Sequence, residues 1–117
     1  MDTKTIRAIG YGRVSTERQG DSGAGMEAQA AAIERECEHR GWPLLRIETD
    51  TASGKTTRRR PSLDAAMDSL TNGDADVLVV AKLDRLSRSV ADFAGIMERA
   101  RADGWGIVAI DIGIDTS

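Results

Sequence analysis

Five consecutive apolar residues, Val77-Leu78-Val79-Val80-Ala81, constrain the fold of this chain more than any other feature. A half-solvated strand would alternate apolar with polar residues. An unbroken run of this length suits a central parallel strand covered on both faces. Parallel neighbours need crossover connections, so helices are expected between this strand and those beside it.

The flanking sequence supplies those elements. Residues 5–11 read as a first strand, with Ile6 and Ile9 as its apolar members. Met26, Ala30, Ile33 and Cys37 then recur at helical spacing, and Gly41 is a suitable stop. Residues 42–48 form a second strand through Leu44, Leu45 and Ile47. Pro61 fits a first helical turn, Leu63, Met67 and Leu70 line one face, and Asn72-Gly73 end that helix. Ser89 and Asp92 have the spacing of a capping box. They open a helix that buries Phe93, Ile96, Met97 and Ala100 and stops at Gly104, before a last strand over residues 107–110. The order β-α-β-α-β-α-β predicts an α/β domain with a mainly parallel four-stranded sheet flanked by helices on both faces.

At 117 residues the chain fits one domain. One cysteine, Cys37, excludes an internal disulfide framework or a multi-cysteine zinc site, and its place on an apolar helix face reads as core. The start of the sequence lacks the apolar region of a secretory signal, and no run spans a membrane, so a cytoplasmic location is the default. Aromatic content of 3% is too low for a base-stacking platform. The net charge of −3 argues against strong autonomous binding of DNA. Yet Lys55, Arg58, Arg59, Arg60, Lys82, Arg85 and Arg88 fall in segments that read as loops, whereas many acids fall on helices. That distribution gives a basic front and an acidic back.

Loops that follow parallel strands emerge along one edge, where open α/β sheets bind their ligands. Here they carry Arg13 and Ser15; Asp50, Ser53 and the basic residues up to Arg60; and Lys82, Asp84, Arg85 and Arg88. A serine hydroxyl near several guanidinium forks suits attack on a phosphodiester, since arginine neutralises phosphate oxygens two at a time. A lone loop serine is more commonly a turn or cap residue, and Arg85 and Arg88 also read as a surface pair neutralised by Asp84 and Asp92. The only histidine, His39, lies at the far end of the first helix, so a Ser-His-Asp arrangement is not expected. Ser53-Gly54-Lys55-Thr56 lacks the earlier glycine of a nucleotide-binding loop. Residues 18–25 and 56–60 are polar with few apolar anchors, and are expected to be mobile without a ligand.

Taken together, Tyr11-x-Arg13-Val14-Ser15-Thr16, Gln19, Gln29, Asp50 with Ser53-Gly54, Arg60-Pro61 and Lys82-Leu83-Asp84-Arg85-Leu86-Ser87-Arg88 resemble a known pattern. It is that of the catalytic domain of the serine recombinases, the resolvase, invertase and serine integrase family. The resemblance covers nearly all of the chain and implies a resolvase-like three-layer domain. It implies that Ser15 attacks the scissile phosphate, forms a 5′-phosphoserine link and frees a 3′-hydroxyl. Arg13, Arg85 and Arg88 match phosphate-binding arginines, and Asp84 a carboxylate that orients them or shuttles a proton. Tyr11, Gln19, Gln29, Asp50, Ser53, Arg60 and Lys82 match supporting or phosphate-binding positions. Neither metal nor cofactor is implied.

The implied partners are double-stranded DNA and further copies of the protein, a dimer that becomes a tetramer at synapsis. The stretch between Gln19 and Gln29 is longer than in small resolvases and looks more like the large serine integrases. Residues 1–117 correspond to the catalytic domain, without the family's C-terminal oligomerisation helix and DNA-binding domain. Two other readings of the same residues are a phosphoesterase or phosphotransferase for a small substrate, and a regulatory domain that keeps the fold without the chemistry.

Overall fold

The computed structural model describes residues 5–15, 23–52, 60–87 and 89–117; at Ser15, Gly23, Ala24 and Ala52 it describes the backbone alone. Strand β1 (Ala8–Ser15) leads through helix α1 (Gly23–Arg40) to β2 (Leu44–Ala52). Helix α2 (Pro61–Thr71) precedes β3 (Val77–Val80), and a short helix α3 (Leu83–Leu86) follows it. Helix α4 (Val90–Asp103), β4 (Gly106–Ala109) and β5 (Ile114–Asp115) complete the order. The sheet runs β2-β1-β3-β4-β5. Its first four strands are parallel, as the sequence predicts; the fifth, β5, was not expected and adds an antiparallel edge.

Pleating divides the core in two. Ile9 and Tyr11 of β1, Leu78 and Val80 of β3, and Ile107 and Ala109 of β4 join Leu63, Ala66, Met67 and Leu70 of α2 and Ile96 and Ala100 of α4. The intervening residues Ala8, Val77, Val79 and Val108 join Ile33 and Cys37 of α1. The apolar run is therefore buried on both faces, all four residues of β3 being inaccessible. No helix among the described residues is long and apolar enough to cross a membrane.

Two glycines let α1 approach β1 closely. A Cβ at Gly10 would lie 2.9 Å from the Ile33 Cγ2 and 3.1 Å from the Ile47 Cγ1. One at Gly12 would lie 2.5 Å from the Met26 Cε. At its other end α1 stops at Gly41, whose φ of 76° suits glycine. There the Gly41 and Trp42 amides donate to the Glu38 and Cys37 carbonyls.

The strand boundaries differ from those predicted in one consistent way. β1 continues past Tyr11 to Ser15, and β2 continues past Glu48 to Ala52, with Arg13 opposite Asp50. Arg13, Ser15 and Asp50 thus lie on strands, not on the expected loops. A parallel ladder satisfies backbone groups whatever the side chains, so polar residues did not end it. Helix α1 begins at Gly23, so residues 23–25 of the expected mobile stretch are helical; residues 16–22 and 53–59 lie outside the described residues. Helix α3 was read as loop.

Arg40 joins the end of α1 to the antiparallel edge. Its guanidinium donates to Glu36 Oε2 at 2.5 Å and Asp115 Oδ2 at 2.9 Å, and lies 4.7 Å from the Trp42 ring centroid. Asp115 accepts from the hydroxyl and the amide of Ser117. These Ser117 bonds first, and Arg40 second, pull the Asp115 carboxyl down to about 2.

Two outcomes are expected. Gly10→Ala forces Ile33 or Ile47 to shift and should cost about 1–3 kcal/mol in urea unfolding, the usual range for an overpacked core. For Asp115, a depressed carboxyl stabilises the fold above its unfolded value of 3.8 and loses that effect as pH falls toward about 2. Asp115→Asn should therefore flatten the acid limb of the melting temperature between those values and leave it parallel to wild type near pH 7.

Candidate active site

The strand order reverses at β1. The chain goes from β1 to β2 on one side, then returns through α2 to β3 on the other. A doubly wound sheet leaves a crevice at such a point, beyond the carboxyl ends of the two central strands. Arg13 and Ser15 sit at that end of β1, and Lys82–Arg85 directly follow β3.

β1 outruns its neighbour. It pairs with β3 only over Ala8–Tyr11, while its pairing with β2 continues to Ser15. Gln29 of α1 takes up backbone groups beyond the β3 ladder. Its Oε1 accepts from the Arg13 amide and its Nε2 donates to the Arg13 carbonyl, both at 3.2 Å. The side-chain amide thus acts like one residue of a strand. Gln29 is buried, which agrees with this bidentate role.

The Arg13 side chain is also buried, and its Nη2 donates to the Asp84 carbonyl at 2.9 Å. This contact joins the end of β1 to α3. The Asp84 carboxylate does something else: it is 71% exposed, and one oxygen lies 3.9 Å from the Arg85 Nε. That Nε is itself shielded from solvent and has no hydrogen-bond partner among the described residues. Lys82 is exposed at the N-cap of α3.

Asp50 is the most fully engaged acid of the group. Only 5% exposed, it accepts from the Tyr11 hydroxyl at 2.8 Å, the Ser62 amide at 2.9 Å and the Leu63 amide at 3.0 Å. Ser62 and Leu63 open α2, where amides lack helical partners. Asp50 therefore caps α2 from the neighbouring strand, in place of the absent side-chain cap at Arg60. Burial first, then the bond to Asp50 and its charge, push the Tyr11 hydroxyl well above its ordinary value; Arg13 and Arg60 oppose this more weakly. Tyr11 is held protonated, as a donor.

Arg60, expected in a mobile loop, is anchored. Its Nη1 donates to the Leu86 carbonyl at 2.6 Å, and its Nη2 reaches the Asp92 Oδ1 and Oδ2 at 2.9 and 3.1 Å. The structure thus gathers Tyr11, Arg13, Gln29 and Asp50 around the end of β1. It brings Lys82, Asp84 and Arg85 beside them and fixes Arg60 across from α4. Gln19, Ser53 and Arg88, and the Ser15 side chain, lie outside the described residues. The sequence sets Asp92 against Arg85 and Arg88 and at capping distance from Ser89, but gives no sign of its pairing with Arg60.

An α/β domain with a serine-bearing strand and an arginine-bearing segment at its switch point has counterparts among known proteins. A family model described as the resolvase N-terminal domain matches residues 8–117. The chain belongs to the resolvase family. It is 37% identical over 111 residues to the transposon Tn3 resolvase of Escherichia coli, covering 95% of this chain and 54% of that protein. It is 39% identical over 110 residues to a DNA-invertase of Enterobacteria phage P7, covering 93% and 51%. The chain thus spans about half the length of these curated relatives. The solved N-terminal catalytic domain of TP901-1 integrase superposes with a TM-score of 0.82 at 27% identity, covering 94% of this chain and 82% of that one. A resolvase family site-specific recombinase from Streptococcus pneumoniae shares the fold, with a TM-score of 0.80 at 24% identity over 96% of this chain and 76% of that one.

Asp50→Asn replaces one accepting oxygen by a donor and leaves at least one of the three partners without an acceptor. It should lower unfolding free energy by about 1–3 kcal/mol, the range for an orphaned buried donor, and Tyr11→Phe by about 1 kcal/mol. Urea titrations of both variants check this; equal stability to wild type would remove Asp50 as the link between β1, β2 and α2.

Proposed function

We propose that this chain carries the DNA cleavage and rejoining site of a site-specific serine recombinase. Ser15 Oγ attacks the scissile phosphate. An Oγ–P bond forms, the bond from phosphorus to the 3′ oxygen breaks, and the proton lost by Ser15 ends on the freed 3′-hydroxyl. The phosphodiester energy stays in the 5′-phosphoserine, so a 3′-hydroxyl can reverse the reaction on either the original or an exchanged strand. Arg13, Arg85 and Arg88 neutralise the phosphate oxygens as charge builds on them. Lys82, Gln19 and Ser53 support the DNA backbone around that centre, and Asp84 orients the arginines.

The observation that carries this reading is the Arg13–Asp84 contact. It couples the strand bearing Ser15 to the segment bearing Arg85 at the switch point. The Arg85 Nε, a shielded donor that makes no hydrogen bond among the described residues, suits an incoming phosphate oxygen. Membership of the resolvase family supports the same chemistry. Double-stranded DNA as substrate, and dimers that pair into tetramers, belong to the same proposal. So does the division of labour in which these residues cut while other segments recognise the site; a net charge of −3 fits a domain that does not bind duplexes strongly by itself.

The test is a covalent protein–DNA adduct on a denaturing gel, made by the longest naturally encoded form of the chain with a duplex carrying its target. Ser15→Ala should abolish the adduct and leave duplex affinity nearly unchanged, because affinity is spread over many phosphate contacts. An adduct that survives in Ser15→Ala places the nucleophile elsewhere. Arg85→Lys keeps the charge but loses the fork, and should slow cleavage by about 10²-fold. Near-normal cleavage would reduce Arg85 to a surface charge.

A further inference from the structure

Asp92 is one of the acids nearest the segment after β3, yet a helix cap needs only part of it. Its amide donates to the Ser89 Oγ at 3.0 Å, which fixes the first turn of α4. In a full capping box the carboxylate would turn back to the cap residue. Here both its oxygens take the Arg60 guanidinium instead. The pair is substantially shielded, with side chains 17% and 34% exposed. Removing one member of such a pair leaves the other charge uncompensated.

The rest of the guanidinium shows what the pair holds. Arg60 Nη1 grips the Leu86 carbonyl at the end of α3. The Ser87 amide donates to the Leu83 carbonyl, and the Ser87 Oγ to the Ser89 carbonyl at 2.8 Å. These contacts bracket the residues between Leu86 and Ser89, among which Arg88 stands. The Arg60 backbone is fixed in turn, since Asp50 holds the two amides that begin α2. A continuous chain of polar contacts therefore runs from β2 through α2 and Arg60 to the junction of α3 and α4.

We infer that Asp92 is a positioning residue for the proposed site, holding Arg60 in the fork that grips the Leu86 carbonyl and so setting where the end of α3 lies relative to the start of α4. Arg60 then shapes the site through backbone contacts and does not itself hold the phosphate. The inference rests on the recombinase reading for its effect on cleavage, but its structural part can be measured without DNA.

Asp92→Asn, Arg60→Gln and the double variant test it. In this chain, hydrogen exchange of the amides of residues 87–92 should quicken to a similar extent in all three, with α1 amides unchanged. In the longest naturally encoded form, single-turnover cleavage at saturating duplex should slow about tenfold or more in Asp92→Asn, with affinity for the duplex held within about twofold. In the Arg60→Gln background the same change should cost less than about twofold, the sign of a residue acting through another. Costs that simply multiply would reduce Asp92 to a helix cap. Faster cleavage by Asp92→Asn would make the pair a restraint, and unchanged exchange would dismiss the positioning role outright. If wild type forms no covalent adduct, the recombinase reading fails, and the exchange data still decide the structural part. Should Asp92→Asn fold poorly, Arg60→Lys replaces it, since an ammonium cannot span two carboxylate oxygens and the Leu86 carbonyl.

Discussion

A buried carboxylate needs hydrogen-bond donors in place of water, and Asp50 obtains three from two other elements. The Tyr11 hydroxyl comes from β1, the amides of Ser62 and Leu63 come from α2, and Asp50 itself belongs to β2. Without it the start of α2 would have two amides facing no acceptor, in a place where water is excluded. With it, the residue just before α2 has a fixed origin. That residue is Arg60, whose guanidinium then reaches α3 and α4. The polar skeleton of the site is thus anchored in the sheet and not in the loops it supports.

The same logic explains why the arginines differ. Arg13 and Arg60 each donate to a main-chain carbonyl, and Arg60 also to Asp92, so both tie backbone segments together. Arg85 has a shielded Nε that faces the Asp84 carboxylate at 3.9 Å and makes no hydrogen bond among the described residues.

The architecture was legible because it follows from burial. Val77–Val80 could only be a central strand, and the spacings of Ile33 with Cys37 and of Leu63 with Leu70 mark helical faces. What was not legible rests on backbone pairing. Gly12–Ser15 and Thr49–Ala52 are mostly polar, with Val14 and Ala52 their only apolar side chains, yet their mutual ladder extends both strands. β5 has two residues and no pattern of its own. At the site, the residue types at the sheet edge were readable, whereas their partners were not. Nothing in the sequence shows that Asp50 caps α2 from the neighbouring strand, or that Asp92, spaced as a capping residue, also holds Arg60.

The overhang of β1 beyond β3 has a mechanical consequence. From Gly12 onward that strand is stitched on one flank to an edge strand and on the other to a single glutamine side chain. The sheet's stiff centre ends four residues before Ser15. Displacing α1 along its axis would pull on Gln29 and so on the last residues of β1, while the ladder between Ala8 and Tyr11 stayed intact. The strand tip is a short cantilever held by one helix, and because Ile33 and Cys37 of that helix pack in the core, its set point is tied to the seating of α1.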